Sequence, residues 1–268
     1  MLRSLKDLES CAIGATDGPI GEVKDLYFDD HAWVVRYLVV ETGTWLSSRQ
    51  VLLSPMSISN PDWGNRLLKV RVSQEQVRKS PDIDARKPVS RQHEADFMGY
   101  YGYANYWGGT GLWGDGLYPY ALLPGSPAFG MSVEGQERER AAYARDMKAR
   151  HRHDDPHLRS CKAVSGYRIH ASDGEIGHVQ DLLVDEDTWA IRYMVVNTSN
   201  WWVGHKVLVA PQWVSGMHWS DESVNVDLSR AQIQGAPVFE GTEALNRQGE
   251  IGLYSHYGRA GYWAGPAE

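Results

Sequence analysis

The stretch "DGEIGHVQDLLVDEDTWAIRYMVV" at residues 173–196 repeats, with few changes, the stretch "DGPIGEVKDLYFDDHAWVVRYLVV" at residues 17–40. A shift of 156 positions places residues 2–109 on residues 158–265 without a gap, and 39 of the 108 superposed positions are identical. This period is far longer than the repeat of a solenoid or of a propeller blade. The sequence therefore predicts two copies of one domain in tandem.

The duplication divides the chain of 268 residues into three predicted parts. Residues 1–109 are expected to form the first domain with its aromatic tail, and residues 158–268 the second. Residues 110–157 have no counterpart in the other copy. They are predicted to form a linker, in which a Gly/Pro-rich loop precedes a helix from about residue 134 to about residue 150.

Each copy has the pattern of a small, mainly β domain that ends in one short helix. Gly21 and Gly177, which follow an Asp-Gly turn signal, indicate a bulge or a close backbone approach. Ser73 and Ser229 are predicted to cap the helix, because each has Gln three residues later and a Pro ends the run. Short strands in so small a core predict a closed or nearly closed barrel. The strands predicted in the first copy cover about residues 22–28, 33–40, 49–53 and 66–72.

Charged residues that are identical in both copies predict the register of the central hairpin. If the polar residues 29–32 form a four-residue loop, Asp25 faces Arg36, and Asp181 faces Arg192 in the second copy. Opposite charges across an antiparallel pair contribute about 0.2–1 kcal/mol and help to fix the register. We interpret both as structural pairs and not as catalytic groups.

The two stretches quoted first, followed by "RQVLLSP" at residues 49–55 and "HKVLVAPQWV" at residues 205–214, resemble the PRC-barrel family. That family is named for the cytoplasmic domain of the H subunit of the photosynthetic reaction centre. It also occurs as the C-terminal domain of a ribosome maturation factor. The resemblance implies two small PRC-type β-barrels in tandem that bind or assemble proteins and catalyse no reaction. We expect neither relative's partner here, because the chain has no transmembrane helix like the first and no additional N-terminal domain like the second.

Composition limits the partners and the location. The formal charge of −7 gives no electrostatic attraction to phosphate backbones or to anionic lipid, so nucleic acid is not expected as a partner. No apolar run reaches the length that spans a bilayer, and the first ten residues lack the apolar stretch of a signal peptide. The two cysteines, Cys11 and Cys161, do not occupy matching positions and predict no disulfide framework. We therefore expect a cytoplasmic protein without membrane insertion.

Aromatic, glycine-rich tails follow each copy, at residues 97–109 and 251–265. Their Tyr-Trp pairs, Tyr106-Trp107 and Tyr262-Trp263, are candidate partner-binding residues, because Tyr and Trp dominate binding hot spots. The preferred interpretation is packing inside the same assembly, since soluble monomers rarely expose large apolar patches. Trp107 and Trp263 are accordingly predicted to be largely buried against a barrel.

Three further tryptophans suggest a second binding mode. Trp45, Trp201 and Trp202 lie in the loop after the third predicted strand, where they could line a barrel mouth that holds a small apolar ligand. The alternative is that they cover the end of the barrel or an interdomain contact.

The histidine-rich run at residues 151–157 is the one candidate for a metal site. His151, His153 and His157 could act as ligands with Asp154 or Asp155, but a solvated linker is the preferred interpretation, because metal sites need fixed geometry. The stretch at residues 109–114 fits G-x-G-x-x-G without the strand and helix that a nucleotide site requires.

The expected function is a non-enzymatic scaffold or adaptor that assembles proteins through its PRC-barrel domains. The sequence offers no catalytic constellation of recognisable spacing, and no cofactor is expected. The partner is a protein of unknown identity, and homo-oligomerisation is an open option. A small-molecule-binding module is the first alternative, and an uncharacterised enzyme is the last.

Overall fold

The computed structural model describes residues 1–81, 91–107, 109–122, 157–198, 205–242 and 245–264. Within these ranges the chain forms two mixed sheets of seven strands each. The protein is therefore mainly β, as the sequence predicts. No helix in the described ranges combines the length and the apolar character needed to cross a bilayer.

The two copies supply equivalent sets of elements. The strands of the first copy are β1 (Leu2–Ser4), β2 (Ala12–Gly14), β3 (Pro19–Asp29), β4 (Val34–Thr42), β5 (Gln50–Leu53), β6 (Ile58–Asp62) and β7 (Leu67–Val70). Those of the second copy are β8 (Leu158–Ser160), β9 (Arg168–Ala171), β10 (Gly174–Asp185), β11 (Ile191–Asn197), β12 (Lys206–Val209), β13 (Val214–His218) and β14 (Ser223–Val226). The described α-helices are α1 (Leu5–Leu8), α2 (Gln74–Lys79), α3 (Arg91–Tyr101), α4 (Cys161–Val164), α5 (Arg230–Gln234) and α6 (Arg247–His256).

The described elements fall into two compact units, each of which holds one sheet. The first unit comprises residues 7–160 and 186–190, and the second comprises residues 1–6, 161–185 and 191–268. The strand order is β5-β4-β3-β2-β7-β6 in the first unit and β12-β11-β10-β9-β14-β13 in the second, which is the same order in the two copies. The seventh strand of the first sheet is β8, paired with β3, and that of the second is β1, paired with β10. The domain bounds expected from the repeat stay a prediction.

The sheets are open, which corrects the expectation of closed barrels. Among the described strands, no ladder joins the two end strands of either sheet, β5 with β6 or β12 with β13. A 3-10 turn that begins with Pro55 connects β5 to β6, and its backbone bond runs from Ser57 N–H back to the carbonyl of Ser54. Pro211 begins the equivalent turn in the second copy. These backbone groups are satisfied inside the turn and do not extend a ladder.

The observed register shows that the predicted Asp25–Arg36 and Asp181–Arg192 pairings are wrong. Asp25 lies opposite Val39, and Asp181 lies opposite Val195. Arg36 is the extra residue of a bulge, because Tyr27 lies opposite Tyr37 while the next residue, Phe28, lies opposite Val35.

The connection between β3 and β4 explains part of the error. It comprises residues 30–33, one position later than predicted, because Trp33 adopts a left-handed conformation (φ 53°) and donates its N–H to the carbonyl of Asp29. Arg36 instead lies 3.7 Å from the carboxylate of Asp29, and Arg192 lies 3.6 Å from that of Asp185.

The core of the first unit is densest around β4. Residues 34–40 are all buried, so that both faces of the strand are covered. On one face Phe97 of α3 contacts the ring of Tyr37 edge-on, with centroids 5.2 Å apart. Arg36 is only 2% exposed and therefore lies in the interior.

The two capping boxes are confirmed. The Ser73 hydroxyl accepts the N–H of Gln76, and the Gln76 side chain accepts the N–H of Ser73. Ser229 and Gln232 repeat the arrangement at the start of α5.

The close backbone approach predicted at Gly21 and Gly177 is also confirmed. A Cβ atom on Gly21 would lie 1.9 Å from the carbonyl oxygen of Glu41, and one on Gly177 would lie 2.0 Å from that of Asn197. Neither position can accept a side chain without moving the neighbouring strand.

Gly177→Ala is expected to lower the free energy of unfolding by about 2–4 kcal/mol, because the added methyl group meets backbone and not a flexible side chain. Urea denaturation followed by fluorescence measures this change. Gly252→Ala, in α6, is the matched control, because its Cβ would meet nothing within 4 Å. An equal midpoint for Gly177→Ala and the wild type would contradict the close approach.

Candidate partner-binding site

The aromatic tails begin as helices, which the sequence analysis missed. α3 and α6 cover the first part of each tail, and the Asn246 side chain caps α6 by accepting the N–H of Gly249 at 3.0 Å. Gly102 (φ 69°) and Gly258 (φ 63°) end the two helices in the left-handed conformation. Glycine at this place is a common helix C-terminal signal, so the tail glycines position the end of a helix.

A buried carboxylate fixes the tail of the first unit to its sheet. Glu94 of α3 is fully buried and accepts hydrogen bonds from the hydroxyls of Tyr37 on β4 and Tyr106 of the tail. The Nε2 atom of His157 lies 3.1 Å from the other carboxylate oxygen. We call Glu94, Tyr37 and Tyr106 the first tyrosine–glutamate cluster.

The second unit repeats this arrangement with an arginine in place of the histidine. Glu250 of α6 accepts hydrogen bonds from Tyr193 at 2.8 Å and from Tyr262 at 2.9 Å. Arg247, one helical turn earlier, lies 2.9 Å from its second oxygen. Burial raises the pKa of Tyr193 above its usual value, so the phenol stays protonated and donates to the carboxylate. Glu250, Tyr193 and Tyr262 form the second tyrosine–glutamate cluster.

An arginine stacks on the tail tyrosine of each cluster. The guanidinium of Arg36 lies 4.0 Å from the ring centroid of Tyr106 and 4.8 Å from that of Trp113, and its Nη1 donates to the carbonyl of Leu112 at 2.6 Å. Arg192 lies 4.1 Å from the ring of Tyr262. Burial lowers the pKa of Arg36, and the aromatic faces and carbonyl replace part of its hydration.

The Tyr-Trp pairs therefore divide into an anchor and a rim. Tyr106 is buried and Tyr262 is half-buried, each bonded to its glutamate. Trp107 is half-buried, and Trp263 is 37% exposed, so the predicted burial of Trp263 is wrong. The tyrosine of each pair takes the interior position because it can bond the carboxylate, and this leaves the next side chain at the surface. Trp263 rests edge-on against Tyr254, with centroids 5.0 Å apart.

The loop tryptophans divide between described and undescribed residues. Trp45 is half-buried, and its indole N–H donates to the carbonyl of Ile20 at 2.6 Å. The predictions for Trp201 and Trp202, for the linker helix at 134–150, and for His151, His153, Asp154 and Asp155 lie outside the described residues.

An exposed apolar surface beyond the first tail was not predicted. Tyr118 and Tyr120 stack with centroids 5.2 Å apart and planes 10° apart, and Tyr120 is 54% exposed. The neighbouring Leu117 is 57% exposed. We call these three residues the tyrosine patch. The sequence signal is "LYPY" at residues 117–120, which has one tyrosine on each side of a proline.

A tight glycine loop lies in the sequence between Tyr106 of the first cluster and the tyrosine patch. Trp113 is fully buried and donates its indole N–H to the carbonyl of Thr188 at 2.8 Å. The N–H of Gly111 donates to the carbonyl of Gly114, and the N–H of Gly114 donates to that of Tyr106. The G-x-G-x-x-G stretch therefore closes on itself through its own backbone.

One group of ligand-type atoms is present in the described residues. Atoms of Asp29, Asp30 and His31 lie within 4.8 Å of one another. Asp29 already accepts two backbone N–H groups, and Arg159 donates its Nε to Asp30 at 2.9 Å. Because guanidinium groups neutralise these carboxylates, we make no metal assignment there.

Comparison with known proteins agrees with the fold. Residues 3–77 match the family model of the PRC-barrel domain, so the chain contains a PRC-barrel domain in its first copy. No curated protein matches the chain significantly.

Glu250→Gln is expected to lower the free energy of unfolding by about 2–4 kcal/mol. The neutral amide gives weaker hydrogen bonds to the two tyrosine hydroxyls and loses the ion pair with Arg247. Urea denaturation measures the change. Glu240→Gln, at an exposed position, is the control. Equal losses in both variants would show that the buried carboxylate does not anchor the tail.

Proposed function

We propose that the protein is a non-enzymatic scaffold or adaptor that assembles other proteins through two PRC-barrel domains in tandem. The family match to residues 3–77 supports this proposal for the first copy. The gapless repeat and the shared strand order support it for the second copy. A cytoplasmic location and homo-oligomerisation belong to the same proposal, and the two buried cysteines, which form no disulfide, support the location.

The observation that carries the proposal is the exposed apolar surface in each unit, which is the rim of the second tail in one and the tyrosine patch in the other. In the second unit, Trp263 and Ile251 are exposed although the neighbouring Tyr262 is bonded to Glu250. In the first unit, the tyrosine patch is exposed next to a loop whose own tryptophan is buried. Aromatic side chains held by a rigid support lose little conformational entropy on binding and make good contact residues.

The chemical groups of the clusters support an anchoring role. Each glutamate accepts two tyrosine hydroxyls and contacts one cationic or imidazole side chain, so that both of its carboxylate oxygens have partners. Arg36 and Arg192 stack on the same tyrosines that these carboxylates hold. The second cluster thus fixes the rim of its tail, and the exposed apolar residues of each unit make the contact with the partner.

The test is cross-linking in the native host followed by mass spectrometry, with the variant Ile251→Ser/Trp263→Ala and, separately, Tyr118→Ser/Tyr120→Ser. We expect at least one variant to lose its cross-links to the partner protein, because a hot-spot ring contributes about 2 kcal/mol, or roughly 30-fold in affinity.

Val238→Ser is the control, because Val238 is an exposed apolar residue outside both rims. Partner cross-links that persist unchanged in both rim variants would refute the proposed binding surface. Loss of the partner cross-links in Val238→Ser as well would show that the effect comes from a general change in surface polarity.

A further inference from the structure

Each unit contains one strand that comes from the other copy of the repeat. β1 pairs with β10 in the second unit, and β8 pairs with β3 in the first. The two strands have the same sequence, Leu-Arg-Ser. Their registers are also equivalent, because Ser4 lies opposite Leu183 and Ser160 lies opposite Tyr27, and these two positions superpose in the repeat. We call β1 and β8 the donor strands.

A serine–aspartate hydrogen bond fixes each donor strand. The Ser4 hydroxyl donates to Oδ2 of Asp181 at 2.5 Å, and the Ser160 hydroxyl donates to Oδ2 of Asp25 at 2.5 Å. The other oxygen of each aspartate accepts the backbone N–H of the next residue, at 2.8 Å in the second unit and 2.7 Å in the first. The carboxylate is therefore held in position to receive a serine from the donor strand.

This exchange also explains why Asp25 and Asp181 are identical in the two copies. They lie directly after a bulge in β3 and β10, between Val23 and Asp25 and between Val179 and Asp181. A bulge redirects the side chain that follows it. The aspartates are thus receptors for a strand supplied by the other copy.

We propose that each copy is a self-complementary module whose partner is a second copy of the same module, and that the reciprocal donor strands, and not the covalent connection, hold the two copies together. Equivalent donors and equivalent acceptors are the arrangement of a domain-swapped dimer, here joined into one chain. The covalent connection raises the effective concentration of each donor to about the millimolar range. This inference is independent of the adaptor proposal.

The first test cuts the folded full-length protein. A specific protease site is inserted within residues 123–156, and the purified protein is cleaved and passed over a size-exclusion column at micromolar concentration. We expect the two fragments to elute together at the volume of the uncut protein. Elution as separate fragments would overturn the proposal.

A disulfide identifies the strands that make the contact. In a cleavable variant with Cys11→Ala and Cys161→Ala, the substitutions Ser4→Cys and Leu183→Cys place two cysteines on residues that face each other across the ladder. After oxidation and cleavage, we expect the fragments to stay joined under denaturing, non-reducing conditions.

The matched control combines Ser4→Cys with Ser220→Cys, an exposed position on the turn between β13 and β14. If the fraction of disulfide-joined fragments is no larger with Leu183→Cys than in this control, the proposed strand exchange is overturned. This holds whether or not the fragments elute together.

A second pair of variants separates the ladder from the hydroxyl contact. Ser4→Pro/Ser160→Pro removes a backbone N–H from each donor strand. We expect the cleaved fragments of this variant to separate at a protein concentration at least roughly tenfold higher than the cleaved wild type does. Ser4→Ala/Ser160→Ala keeps the N–H and loses the hydroxyl contacts, which are the serine–aspartate bonds and, at Ser4, the acceptor for the N–H of Lys6, so a smaller shift is expected. Equal dissociation of the proline variant and the wild type would contradict the donor role.

Discussion

The hydrogen bonds from two tyrosines to one buried glutamate are the interaction on which the tails of this protein depend. Glu94 lies on α3 and Glu250 on α6, and each joins a strand tyrosine to a tail tyrosine. A hydrogen bond to a charged acceptor contributes about 1.5–3 kcal/mol, and leaving the buried carboxylate without partners costs more. Because the tail tyrosine is fixed, the position of the residue after it is fixed as well, and Trp263 lies at the surface.

The arginine on the bulge completes this arrangement. Arg36 and Arg192 are extra residues in β4 and at the equivalent place in β11, so neither lies directly opposite a residue of the neighbouring strand. Each guanidinium reaches an aspartate at the end of the preceding strand and the face of the tail tyrosine. A regular ladder would not leave an arginine in this position, and the bulge is thus part of the anchoring of the tail.

Much of the fold follows from the sequence, and the failures have physical causes. The repeat predicts a common strand order, Ser73 predicts its capping box, and Gly177 predicts the close backbone approach. The predicted hairpin register was wrong because the connection begins one residue later than predicted and because a bulge adds one residue to β4. The closed barrel was wrong because the sequence does not show where a turn interrupts the ladder. The exchange of the donor strands could not be foreseen, because identical Leu-Arg-Ser segments do not specify which sheet each one joins.

The candidate site was only partly predictable. The sequence identifies the Tyr-Trp pairs and predicts burial of Trp107 and Trp263, whereas the hydroxyl bond to the glutamate gives the interior position to the tyrosine. Glu94 and Glu250 are not among the predicted site residues, although they occupy equivalent positions in the two copies. A further signal for these glutamates is that Tyr37 and Tyr193 occupy equivalent strand positions in the two copies, because a buried strand tyrosine needs a partner for its hydroxyl.

Native-state hydrogen exchange of residues 247–256 tests the central claim, that the buried glutamate anchors the tail, most directly. The account predicts slow exchange across this helix in the wild type, and acceleration in Glu250→Gln that does not extend to the strands β10 and β11. Exchange of residues 247–256 at the rate of an unstructured peptide in the wild type would contradict it, and so would protection that is unchanged by the substitution.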